Sequence, residues 1–555
     1  MNSLVQPLHR FRRHFFTWQM TSIRFAALWS LVMVLIDNLH FFHAVSQLFN
    51  VFTLGGTLFV LCLALLLWLL TFIVISLVML PYISKPLMML LLVSAAATAY
   101  FMNAYGIVIH KLMIQNLMET DVQEVSSLLS RELLGYLLML GVLPAILVGR
   151  CHIVYEKPMR EIWHRLKIIS IALLLATALI LSMSSQFASF FRNHKDVRQM
   201  ANPLNFIYAG IAYAVEKDTQ VVVKPIGEDA QLNARGLAAT KPTLLIVVVG
   251  ETARADHFSI NGYDRATTPL LAQQPIINYP SVTSCGTETA ISVPCMFSQL
   301  PRKDYSDRKA KEQESVLDVM HRAGVPVLWR DNNSGCKGTC DRVAYEDMRA
   351  LTLPDLCNKR ECFDDVLLHE LEQKVGLMPA QGIGHKVVVL HQKGSHGPDY
   401  YHRYPESAEV FTPACHTNQL QECSREEVVN AFDNTIHYTD QFLVRTIQWL
   451  ESQSGYYNTA MVYLSDHGES LGENGLYLHG MPYMIAPTAQ KHVPFFFWFS
   501  PGFERDNHID RQCLIAHSSQ DYSQDNLFHT LLGLMNIDTA VYQAPLDMLS
   551  ECRAR

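Results

Sequence analysis

Residues 57–80 contain no charged side chain. An apolar run of that length has no stable place in water, and about 20 such residues suffice to cross a bilayer as a helix. Comparable runs lie near residues 25–45, 87–109, 133–149 and 168–183, and none follows Phe191. The pattern predicts five transmembrane helices ahead of a large water-soluble region. The first run is not a cleaved signal peptide, because four further spans follow it. Asp37 falls inside the first span and is expected at a helix end or facing the bundle.

Basic residues orient the spans. Arg10, Arg12 and Arg13 precede the first, Lys85 lies between the second and third, and Arg150, Lys157, Arg160, Arg165 and Lys167 lie between the fourth and fifth. With five spans these segments share one side, and the positive-inside rule makes it the cytoplasmic side. The C-terminal two-thirds is then outside the cytoplasm. Cysteine usage agrees. Cys62 and Cys151 are in or beside the spans, whereas Cys285, Cys295, Cys336, Cys340, Cys357, Cys362, Cys415, Cys423, Cys513 and Cys552 all follow them. An even set in an exported region reads as disulfides, and the CxxC and HxxxH spacings of structural zinc are absent. Proximity suggests the pairs 285–295, 336–340, 357–362, 415–423 and 513–552. The formal charge of −7, without a long basic run, argues against nucleic acid as a partner.

Between the third and fourth spans, residues 109–130 are too polar to cross a membrane. They mix apolar and polar positions at helical spacing, which suits the outer membrane–water interface. Asn116, Thr120 and Glu124 fall at i, i+4 and i+8 on one helix face; the bland reading is a solvated face. Three domains are expected: a transmembrane domain over 1–185 with this periplasmic segment, a linker and bridging helix over 186–240, and a large periplasmic domain over 241–555.

The soluble region reads as α/β. TLLIVVVGET, from Thr243, opens as a continuous β-branched run, the signature of a strand buried on both faces. Similar strands are expected from Val325, Lys386, Thr459 and Val493. A helix precedes the fourth, with Ser424 as N-cap and Glu427 at the capping-box position. Strands alternating with helices predict a mostly parallel sheet flanked by helices.

Polar residues cluster after these strands. Glu251 follows the first, His396 the third, and Asp466 and His467 the fourth. Open α/β sheets place ligands at the carboxyl ends of their strands, so these residues make a mixed O/N set suited to zinc. The metal would have an alcohol to activate. In SCGTETAISVPC, Cys285 and Cys295 bracket Thr287 and Thr289. Coordination lowers the pKa of an alcohol and turns it into a nucleophile. Without the metal set, both threonines would be ordinary loop residues.

VVGETARADHFSINGYDRATTP, SCGTETAISVPCMFS, LWRDNNSGCKGTCDRV, HQKGSHGPDYYHRY and YLSDHGESLGENGLYLHGMP closely resemble the lipid A phosphoethanolamine transferases. That family includes the mobile colistin-resistance enzymes and belongs to the alkaline phosphatase/sulfatase-like superfamily. MIQNLMETDVQE is similar to the family's interfacial segment, and the resemblance covers nearly the whole chain.

The resemblance implies an α/β catalytic domain in the periplasm behind five helices in the bacterial inner membrane. It implies Thr289 as the nucleophile that carries phosphoethanolamine, with Glu251, Asp466 and His467 as its zinc partners. His396 and His479 match histidines that contact the substrate phosphate or a second zinc, and either serves as general acid. Lys337 matches a lysine facing the phosphate. Asn333, Ser334, Asn116, Thr120 and Glu124 match positions that hold the ethanolamine lipid. One tightly bound zinc is implied, with a second left open. The donor would be phosphatidylethanolamine and the acceptor a phosphate of lipid A. Diacylglycerol would leave, and polymyxin would bind the less anionic surface more weakly. A monomer is expected. Three alternatives remain: glycerophosphate transfer as in lipoteichoic acid synthases, a phosphatase or sulfatase, and a membrane-anchored binding protein with structural zinc. A sulfatase would carry Cys or Ser in a C/S-x-P-x-R signature, where this chain has threonine.

Overall fold

The computed structural model describes residues 18–49, 52–119, 128–193, 195–217, 222–379 and 382–553. The chain divides into two compact units. The first comprises 1–103 and 131–209, and the second 104–130 and 210–555.

The first unit is helical. Leu54–Leu77, Ser84–Tyr105, Arg131–Arg150 and Pro158–Ser182 are each long and apolar enough to cross a membrane. Large apolar side chains such as Leu61, Leu174 and Leu181 stand exposed on them, as expected of surfaces solvated by lipid rather than water. Thr53 caps the first of the four by accepting from Gly56 N at 3.1 Å, and Pro158 sits in the first turn of the last, where its missing N–H costs nothing. Gly141 lets two helices approach closely, since a Cβ there would lie 3.1 Å from Val93 Cα.

The first apolar run differs from the single helix expected of it. It is a pair, Ser22–Ile36 and Leu39–Leu48, bent by 61°. A bend frees backbone polar groups, and in a membrane these must find partners inside the protein. Asn38 and Asn202 supply them. Asn38 Nδ2 donates to Met33 O at 3.2 Å and Asn202 O at 2.7 Å. Asn202 returns its N–H to Asn38 Oδ1 at 2.8 Å and its amide to Asp37 O at 3.2 Å and Ala95 O at 3.0 Å. Asp37 is the residue at which the first of the two helices ends.

The second unit is built on a seven-stranded sheet. Its strands are β1 (Thr243–Gly250), β2 (Ile276–Tyr279), β3 (Val327–Asp331), β4 (Ala344–Asp347), β5 (Lys386–His391), β6 (Asn458–Ser465) and β7 (Phe495–Phe499), in the spatial order β2-β7-β6-β1-β5-β3-β4. The block from β6 to β4 is parallel, and β7 runs antiparallel to both of its neighbours. Every residue of β1 and β6 is buried, as a strand covered on both faces requires. The helix Arg425–Ser452 begins at Ser424, whose Oγ accepts from Glu427 N at 3.2 Å while Glu427 returns a carboxylate to Ser424 N at 2.7 Å.

Register carries the functional consequence. Gly250 of β1 pairs with Ser465 of β6, and Val249 and Asp331 both pair with His391 of β5. The residues that follow, Glu251 and Asp466, therefore emerge side by side at the carboxyl end of the sheet. Five disulfides join Cys285–Cys295, Cys336–Cys340, Cys357–Cys362, Cys415–Cys423 and Cys513–Cys552.

Candidate active site

Glu251, Asp466 and His467 meet just beyond β1 and β6. All three are buried, and one donor atom from each lies within 4.8 Å of the others. His467 Nε2 is 3.4 Å from Glu251 Oε1 and 3.3 Å from Asp466 Oδ2. Its Nδ1 faces Gly468 O at 2.9 Å. A carbonyl can only accept, so this contact assigns the proton to Nδ1 and turns Nε2 into the site. Asp466 Oδ1 accepts from Thr252 N at 3.1 Å and His467 N at 2.7 Å. Its Oδ2 is buried without a hydrogen bond. Gly394 allows the close packing here, since a Cβ at its φ of +54° would lie 2.7 Å from Glu251 O.

Two buried carboxylates this close oppose each other's ionisation. Burial and the Glu251 charge push the Asp466 carboxyl up to about 7. Burial alone would raise Glu251 too, but His467, His396 and His479 hold it well below the usual carboxylate range. Burial disfavours charge on His467, yet Asp466 and Glu251 push it up to about 10. Crowded carboxylates, a buried oxygen that accepts no hydrogen bond and an imidazole nitrogen pointing inward form a donor set suited to a divalent cation.

The nucleophile candidate comes from a third element. The helix Thr289–Met296 starts at Thr289, after Glu288 in extended conformation, so the threonine hydroxyl sits at the positive end of the helix dipole. Thr289 Oγ1 lies 3.2 and 3.1 Å from the two Glu251 oxygens and 3.4 Å from His467 Nε2. The Cys285–Cys295 bridge closes the loop back onto its own helix. Thr287 is engaged elsewhere: its hydroxyl donates to Met481 O at 2.7 Å and its carbonyl accepts from Gly480 N at 2.8 Å. Of the two bracketed threonines, only Thr289 faces Glu251 and His467.

His479 joins through Glu469, whose two oxygens each lie 3.4 Å from His479 Nδ1. The His479 ring is 4.5 Å from that of His467 and 5.3 Å from that of His396. Burial disfavours charge on His479, but Glu469 raises its pKa. His396 is held by its carbonyl, which accepts from Arg403 Nε at 2.7 Å.

Other expected site residues sit less directly. Lys337 Nζ donates to Ser334 O at 3.0 Å and lines a cavity of about 450 Å³ with Gln115, Pro294 and Arg342. It makes no hydrogen bond to Thr289 or to the carboxylates. Asn333 is turned toward the metal set, donating Nδ2 to Glu251 Oε2 at 2.6 Å and to Gln392 O at 2.9 Å. Ser334 N donates to Asn333 Oδ1 at 2.7 Å. Asn116 lies on the helix Lys111–Glu119. Thr120 and Glu124 lie outside the described residues.

Several contributors carry no sequence signal. Gln524 accepts Cys285 N at 2.7 Å and donates to Ser465 O at 2.9 Å and Asp466 O at 2.6 Å, tying the nucleophile loop to the end of β6. Asp331 and His391 form a buried pair at 2.9 Å beneath Asn333. Burial would raise Asp331, yet His391 and Trp329 hold it down to about 2.

A parallel-sheet core with an alcohol facing a buried carboxylate–histidine set at its strand ends defines a sulfatase-like transferase or hydrolase, and residues 243–537 match the sulfatase family. Residues 67–217 match the family described as phosphoethanolamine transferase EptA/EptB. The chain is 42% identical over 521 residues to phosphoethanolamine transferase EptA of Escherichia coli K12, covering 93% of this chain and 94% of that one. It is 40% identical over 518 residues to phosphatidylethanolamine transferase Mcr-1 of Escherichia coli, covering 90% and 92%. It superimposes on the integral membrane lipooligosaccharide phosphoethanolamine transferase A of Neisseria meningitidis with a TM-score of 0.92 and 38% identity, over 97% of this chain and all of that one. The chain belongs to the phosphoethanolamine transferase family.

Proposed function

We propose that this protein is an inner-membrane enzyme that moves phosphoethanolamine from phosphatidylethanolamine to a phosphate of lipid A through a covalent intermediate on Thr289. The observation that carries this reading is the contact of Thr289 Oγ1 with Glu251 and His467 at 3.1–3.4 Å. Zinc held by Glu251, Asp466 and His467 would supply Lewis-acid charge and lower the pKa of the alcohol. Glu251 stands where it can take the hydroxyl proton. Thr289 Oγ1 then bonds to phosphorus as the bond to the diacylglycerol oxygen breaks, and His396 or His479 returns a proton to that oxygen. The helix N-terminus favours the negative charge gathering on the phosphoryl oxygens. In the second half-reaction an oxygen of the lipid A phosphate attacks phosphorus, the bond to Thr289 breaks and the hydroxyl is restored. Asn333 holds Glu251 in position throughout. Lys337, Ser334, Asn116, Thr120 and Glu124 serve the lipid donor. The product gains an ammonium group, so the outer surface binds cationic peptides such as polymyxin less tightly.

Full-length protein incubated with zinc and phosphatidylethanolamine, without acceptor, tests this. Mass spectrometry of the Thr289 peptide should show a phosphoethanolamine adduct that Thr289→Ala lacks. Lipid turnover without an adduct would break the nucleophile assignment. An adduct from phosphatidylglycerol alone would make the enzyme a glycerophosphate transferase.

A further inference from the structure

Beside the nucleophile loop lies a group of side chains that the chemistry above does not use. Tyr483 donates its hydroxyl to Ser284 O at 2.8 Å, and Ser284 N donates to Lys491 O at 2.7 Å. Ser284 is thereby gripped at both backbone groups, one residue ahead of Cys285. Two cations lie on the Tyr483 ring, the Arg302 guanidinium carbon 4.3 Å and Lys491 Nζ 5.2 Å from its centroid. The clamp on Ser284 uses neither cationic head. Asp525 accepts the Arg302 backbone amide at 2.8 Å, but among the described residues the Arg302 guanidinium makes no hydrogen bond, and its Nε is buried without a partner. Lys491 Nζ reaches only Tyr483 O, at 3.4 Å. Among the described residues no carboxylate comes within ion-pair distance of either, whereas Arg254, Arg322 and Arg342 are each paired at 2.6–2.7 Å. Beyond Tyr483 the loop exposes Met484, 83% accessible.

Neither cation is in an ion pair; the Asp525 carboxylate acts on Arg302 only through space, which leaves both heads able to take up an added anion. A guanidinium fork and a point-charge ammonium together suit a phosphate. The group is also near the chemistry. Tyr483 is four residues from His479 and Ser284 five from Thr289, which bounds the separation at roughly 14–18 Å of extended chain. Lipid A carries a phosphate at each end of its disaccharide. We propose that Arg302 and Lys491, stacked on Tyr483, hold one phosphate of the acceptor glycolipid while its other phosphate reacts at Thr289. The alternative is a stack that merely braces the loop.

The inference rests on the transferase reading, and the test separates the two. Full-length wild type and an Arg302→Gln/Lys491→Gln double variant are charged with phosphatidylethanolamine in detergent micelles, and discharge of the Thr289 adduct is followed against purified lipid A. The double variant should form the adduct, yet need roughly 10- to 100-fold more lipid A for half-maximal discharge, the range expected for lost charge-assisted contacts. Arg302→Lys/Lys491→Arg should stay close to wild type. Wild type should prefer bisphosphoryl over monophosphoryl lipid A, and the Gln variant should not. A lipid A requirement within twofold of wild type, in a Gln variant that forms the adduct, would overturn the proposal. Inorganic phosphate that inhibits as strongly as lipid A competes would also overturn it, as a site for free phosphate. Failure of wild type to form any adduct would instead refute the transferase reading.

Discussion

Replacing Asn333 by leucine keeps the branching and number of side-chain heavy atoms and removes one hydrogen bond to a buried carboxylate, the 2.6 Å contact from Nδ2 to Glu251 Oε2. It also strips Gln392 O of its donor. A hydrogen bond to a charged group contributes about 1.5–3 kcal/mol. Groups that orient metal ligands typically change affinity by about 10- to 100-fold, which converts to about 1.4–2.7 kcal/mol. The two estimates agree, so Asn333→Leu should weaken zinc binding by one to two orders of magnitude. The assay is competition for zinc between the detergent-solubilised full-length protein and a chromogenic chelator, with circular dichroism to confirm folding. Ser334→Ala is the control, because the observed link from Ser334 to Asn333 is made by its backbone. A folded Asn333→Leu protein that binds zinc within twofold of wild type would refute the claim that Asn333 holds Glu251 for the metal.

Gln524→Ala should slow Thr289 adduct formation at saturating donor, because it cuts the Cys285 backbone loose from Asp466; stopped-flow quench with mass spectrometry measures the rate. Replacing Cys285 and Cys295 with serine should destabilise the second unit by about 3 kcal/mol on the loop-entropy account, read from chemical denaturation of the full-length protein. Asp440 gives a pH signature. It is buried and accepts Leu270 N and Leu271 N at 2.9 and 2.8 Å, yet burial pushes its carboxyl up to about 6. A raised carboxyl pKa means that the folded state holds the proton more tightly. Its stabilisation is complete below the unfolded value and is lost as pH rises through about 6. Asp440→Asn keeps one acceptor oxygen for the two amides and no titrating proton, so wild type should lose up to about 3 kcal/mol relative to it as pH rises from 4 to 7, measured by chemical denaturation at each pH.

The strands that hold the site were readable because burial leaves a compositional trace. A short β-branched run such as LLIVVV suits a strand covered on both faces, and the polar residue ending it marks the sheet's carboxyl edge. The direction of β7 left no such trace, since Phe495–Phe499 is equally apolar whichever way it runs. The break at Asp37–Asn38 was hidden for a different reason. Its stabilising partner, Asn202, lies 164 residues away, and hydropathy along one segment says nothing about distant amides. Asn333 and Gln524 were similarly invisible as ligand-holding groups. Neutral amides have no spacing rule of their own, and their roles arise only once the fold brings Glu251 and Asp466 together.

The pairing of Gly250 with Ser465 joins parts of the chain more than 200 residues apart. Loop-closure entropy makes such a long-range parallel contact slow to form. Glu251 and Asp466 come side by side only once β6 has docked against β1. A divalent cation that needs both carboxylates would therefore be captured only by the assembled sheet, not by either segment alone.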